Sequence, residues 1–87
     1  MTATAATLAQ NLANARNASI EAHAGREYLT PEFASLVLAT AVLAVERAEY
    51  MARRAGLNPD ALVAWGAGSN EWKATPYAPN LPTITYN

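Results

Sequence analysis

Apolar residues recur at helical spacing through roughly the first three quarters of the chain, and two-residue alternation enters only near its end. Thr2 to about Ala24 contains no Pro or Gly and is dense in Ala, the best helix former, so the pattern predicts a helix over about residues 3–24. Leu8 and Leu12 stand at i,i+4, and Ala5, Ala15, Ser19 and Ala22 extend the same stripe. Such a face allows close helix–helix approach but buries little area, because Leu8, Leu12 and Ile20 are the only large apolar residues of the segment. Gly25 is the expected stop.

Thr30-Pro31-Glu32 is a helix start with three concordant signals. Thr30 can cap, Pro31 sits where a missing N–H costs nothing, and Glu32 opposes the helix dipole. No breaker follows until Gly56, which predicts a second helix over 31–55, roughly 37 Å long. Two apolar stripes run along it. One is Phe33, Leu36, Thr40, Leu43, Arg47 and Tyr50, in 3-4-3-4-3 spacing; the other, on a different side, is Leu38, Ala41, Val42, Val45, Ala48 and Ala52. Asn58-Pro59-Asp60 repeats the start signal, with Leu57 placed to staple onto Leu62, and predicts a short third helix near 59–66.

After Gly66-Ala67-Gly68 the pattern changes. Ser69 to Asn87 interleaves Trp72, Tyr77, Leu81, Ile84 and Tyr86 with Thr75, Pro76, Pro79, Pro82, Thr83 and Thr85. Spaced prolines preclude a helix and a central strand, while the aromatic and β-branched content is too high for an ordinary disordered tail. The expectation is an all-α fold: an antiparallel helical hairpin plus a short third helix, with an extended irregular C-terminal arm. The organisation is then a helical body over 1–68 and an arm over 69–87, with the glycine pair as the hinge between them.

Composition sharpens this picture. With 87 residues the chain makes one domain at most, and a domain so small is marginal without a staple. Cysteine is absent and there is one histidine, so disulfides and thiolate metal sites are excluded and association with another chain remains. Only 15% of residues are charged, against roughly a quarter in typical domains, and the formal net charge is -1. That balance argues against nucleic acid as the main partner and against a polybasic membrane anchor. The N-terminus lacks the basic and apolar regions of a signal peptide, and the longest apolar run, Phe33 to Val45, falls short of the roughly 20 residues a bilayer span needs. A soluble protein is expected, with its compartment open.

Candidate chemistry is sparse. Ser19, His23 and Glu27 are spaced like a nucleophile, base and orienter, but neighbouring helical side chains diverge and no oxyanion hole accompanies them. A solvated helix end is the plainer reading. His23 with Glu21 or Glu27 would need ligands from other chains to hold a metal. Glu46 and Glu49 have Arg47 and Arg53 as neighbours, which suits a solvated face, and Gly66-Ala67-Gly68 lacks the Lys and Ser/Thr of a phosphate loop. No catalytic, cofactor or metal residue is therefore assigned.

The residues assigned are for partner binding: Leu38, Val42 and Val45 on the second helix, and Trp72, Tyr77, Leu81, Ile84 and Tyr86 on the arm. Leu81 to Tyr86 alternates as a strand that could extend a partner's sheet. The first helix covers one face of the second only thinly, so a second chain is expected on the other. The function expected is a non-catalytic structural or assembly subunit that associates with itself or a larger complex, an organisation shared by analogy with virion parts. The alternative is a small inhibitor or adaptor that binds a larger protein.

Overall fold

The structure, a computed structural model, describes residues 4–78. Helix α1 spans Ala5–Gly25 and leads through a 3-10 turn, Arg26–Tyr28, into α2, Pro31–Arg54. A single turn of helix, α3 (Pro59–Leu62), runs directly into strand β1 (Val63–Gly66), which pairs antiparallel with β2 (Glu71–Ala74). Each helix begins where its capping chemistry dictates. The Thr4 hydroxyl accepts from the Thr7 N–H at 3.1 Å, the Thr30 hydroxyl from the Phe33 N–H at 3.3 Å, and the Asn58 side-chain Oδ1 from the Asp60 N–H at 3.0 Å. Helix α2 ends in a Schellman motif. Gly56, at φ 77, donates to Arg53 O at 2.9 Å, and Leu57 donates to Ala52 O at 3.0 Å, with Leu57 and Ala52 both buried.

The two long helices form the expected hairpin. The rest is not all-α: Glu71–Ala74, expected in an irregular arm over 69–87, forms a regular strand, and two corrections follow from it. The third helix does not run to residue 66: it stops at Leu62, and Val63-Ala64-Trp65 become a strand, because β-branched and aromatic residues there meet a pairing partner in Glu71–Ala74. The segment Gly66-Ala67-Gly68 is not a hinge but the entry to the β-hairpin loop. Asn70 closes that loop in the left-handed region at φ 54, and Ser69 and Asn70 N–H both donate to Gly66 O, at 3.1 and 2.7 Å. A side chain at Gly66 would meet Ser69 Oγ at 2.9 Å. The strand lies in the proline-free part of the expected arm, before Pro76, so it keeps its backbone donors.

Helix α1 anchors the hairpin at its outer edge. Trp72 N–H donates to Asn17 Oδ1 at 2.6 Å, and Asn17 Nδ2 donates to Trp72 O at 2.9 Å, so one side-chain amide occupies the place of a third strand. Beside it, the Arg16 guanidinium lies 4.7 Å from the centroid of the Trp72 ring and bonds Asp60 Oδ1 at 3.1 Å, with Glu49 Oε2 at 3.7 Å. Trp72 meets Trp65 edge to face, centroids 5.5 Å apart. Arg16 thus joins α1, α2, α3 and β2 at one point. Asp60 is largely exposed, so that ion pair adds little by itself; the gain lies in the guanidinium packed on the indole.

The core sits at one end of the hairpin. Ala5, Leu8, Ala9, Leu12 and Ala13 of α1 pack with Ala52, Ala55, Leu57, Leu62, Val63 and Ala78. This shared cluster fixes the helices as antiparallel, since the start of α1 meets the end of α2. Among the described residues, the stretch 14–51 adds one buried side chain, Ala41. The body is also thin, 43 × 34 × 14 Å. Its short dimension is little more than one helix diameter, so faces turned away from the hairpin seam reach solvent.

Candidate protein-contact surface

Helix α2 divides its two apolar stripes between the fold and the outside. Small residues decide which goes where. Ala41 and Ala52 are buried and Ala48 is half-buried toward α1, whose own contact face is Ala5, Ala9 and Ala13 around Leu8 and Leu12. Alanine opposite alanine lets the helices close up, so the stripe containing Ala41, Ala48 and Ala52 turns inward. Leu38 and Val45 belong to that side and are half-buried; Val42, at its margin, is 45% exposed.

The other stripe faces outward. Phe33 is 54% exposed, Leu36 62%, Leu43 64% and Tyr50 56%, and Thr40 and Arg47 between them are exposed as well. The Thr40 hydroxyl donates to Leu36 O at 2.9 Å, which leaves its methyl group as the outward feature. Tyr50 accepts from Arg54 Nη1 at 3.4 Å. Glu49 turns the other way, toward Arg16, and holds Arg53 at 3.6 Å. Phe33, Leu36, Leu43 and Tyr50 thus form an exposed apolar row along α2, interrupted by Thr40 and Arg47.

On the arm side, Trp72 is half-buried in β2 against the core and the Arg16 side chain, whereas Tyr77 is 73% exposed. Leu81, Ile84 and Tyr86 lie outside the described residues. The structure therefore brings Leu38, Val45 and Trp72 into the interior margins and leaves Val42 and Tyr77 on the surface. On α2, Phe33, Leu36, Leu43 and Tyr50 are the exposed large apolar residues that the partner-binding assignment left out; Ile20, Tyr28 and Trp65 are exposed elsewhere. The signal for them was their 3-4-3-4-3 spacing, which is the seam period of helix pairs.

The residues examined for catalysis do not converge. His23 Nδ1 lies 2.8 Å from the Ser19 carbonyl oxygen, not its hydroxyl, and Glu27 sits in the 3-10 turn beyond the helix end. Among the described residues, no group of three or more His, Asp or Glu is placed to hold a metal ion, and no helix is long and apolar enough to cross a membrane. A shallow polar depression lined by Asn17, Ile20, Glu21 and the hairpin loop is open to solvent. No family model, curated protein or solved structure matches the chain.

Proposed function

We propose that this chain is a protein-association unit, a non-catalytic subunit that binds another polypeptide through the outward stripe of α2. The observation that carries this reading is the continuous exposure of Phe33, Leu36, Leu43 and Tyr50 along one side of the longest helix. Fully burying one such side chain against a partner stabilises a complex by about 1.5–3 kcal/mol, so four of them on one line are a substantial reserve. The lean charge of the chain, 15%, fits a surface shared with another protein. Tyr77, exposed beyond β2, is a second aromatic contact on the same footing.

The test uses the chain in the cells that make it. Tagged wild type is expected to elute in a complex well above its own 9.2 kDa. The double variant Leu36→Gln, Leu43→Gln should elute as the free chain with unchanged helix content. Elution of wild type at its own mass would overturn the reading, and so would a variant that stays in the complex.

A further inference from the structure

The outward stripe also carries information about which partner it fits and in which direction. Reversing α2 end for end about a point between Ala41 and Val42 maps Phe33 onto Tyr50, Leu36 onto Arg47 and Thr40 onto Leu43. We infer that the occupant of this face is a second copy of the same chain, with the two α2 helices packed antiparallel across a two-fold axis at that point. This rests on the association reading above and specifies its partner.

Four features support the antiparallel arrangement. First, the 3-4-3-4-3 spacing is the seam of a two-helix coiled coil, in which positions of the two kinds alternate and, in antiparallel pairs, each kind meets the other. Among antiparallel registers, only the one centred between 41 and 42 engages all six stripe positions of both helices. Second, a parallel in-register pair would set Arg47 directly on its own copy inside the seam, a like-charge contact. The antiparallel register instead lays the Arg47 stem over Leu36 of the other copy, with its charged head free to reach water.

Third, the flanks match. Glu32 and Arg53 lie on the same edge of the stripe, near opposite ends, and the antiparallel register places each beside the other's counterpart. Both are exposed, and Arg53 is only loosely held by Glu49, at 3.6 Å. Fourth, antiparallel helices oppose their dipoles, N-terminus beside C-terminus. The thin body presents no described element on this side of α2 to obstruct a second copy. Thr40 and Arg47 make the seam imperfect, and polar residues at such positions select one register at some loss of affinity.

The absence of cysteine permits a clean test with the full chain. Phe33→Cys and Tyr50→Cys are prepared separately, checked for unchanged helix content, and treated with a short bismaleimide alone and mixed. In the antiparallel pair residue 33 faces residue 50 of the other copy, whereas the two copies of residue 33 lie about 25 Å apart, 1.5 Å per residue along the axis. Cross-linked dimer should form about tenfold faster or more in the mixture than in either variant by itself, because the paired thiols share a high effective concentration. A second pair, Leu36→Cys with Arg47→Cys, whose like copies lie about 16 Å apart along the axis, should behave the same way and guards against a local defect at either end. Equal rates in mixture and single variants would overturn the antiparallel pairing. No cross-linking in either pair would overturn self-association. If wild type nonetheless elutes in a larger complex, the association reading stands with a different partner; if it elutes at its own mass, both fall.

Discussion

The end of the hairpin that holds residues 5–13 and 52–63 buries its apolar side chains together; the opposite end, where Ile20, Tyr28, Phe33 and Leu36 reach solvent, buries almost none. Both ends are made of the same two helices. What differs is the third participant. At the closed end α3 and the β-hairpin bring Leu57, Leu62 and Val63 over the seam, and Arg16 and Asn17 tie that cover down. At the open end α1 offers mainly alanine, serine and asparagine, and two helices in contact can each hide only one face. The lesson is that helix pairing gives the molecule its direction, while a covering element decides where it has a core. Among the described residues, no such element covers the open end.

That contrast can be broken or sharpened by substitution, beginning where the effect is largest. Leu12 is fully buried at the closed end, and Leu12→Ala should cost about 2–5 kcal/mol, enough to remove most of the urea unfolding transition. Asn17→Ala leaves the Trp72 N–H and C=O without their partner and should cost about 1–3 kcal/mol. It should also speed hydrogen exchange at the Trp72 amide while the α2 amides near Ala41 keep their rates, because the loss is confined to the cover. Gly56 sits at φ 77 in the Schellman turn that delivers Leu57 to the core, and Gly56→Ala should cost about 1–2 kcal/mol in the same unfolding assay. An effect of Asn17→Ala as large at α2's open end as at Trp72 would dissolve the distinction between the two ends.

The helices and their starts were legible because each rests on local chemistry: Thr30-Pro31-Glu32 and Asn58-Pro59-Asp60 announce themselves whatever the tertiary context. The β-hairpin was not, because Val63-Ala64-Trp65 is short enough to read as the end of a helix and its strand character comes from pairing with Glu71–Ala74. Gly66 and Gly68 fit a hinge or a loop equally well as letters; Asn70 at positive φ, four residues beyond Gly66, makes it a loop. On α2 both stripes were visible, but which one faces α1 depends on alanines on two helices matching, and that is a property of the pair. Asn17 carried no signal at all, since nothing in a helical pattern says that an amide will stand in for a strand.

The most direct test of this division asks whether the outward stripe is surplus to the fold. Leu36→Gln, Leu43→Gln replaces two exposed side chains with a residue of similar helix propensity. Its unfolding free energy, compared with wild type at a dilution where both are monomeric, should differ by no more than about 0.5 kcal/mol. A loss comparable to that of Leu12→Ala would place the stripe inside the chain's own core and contradict the account.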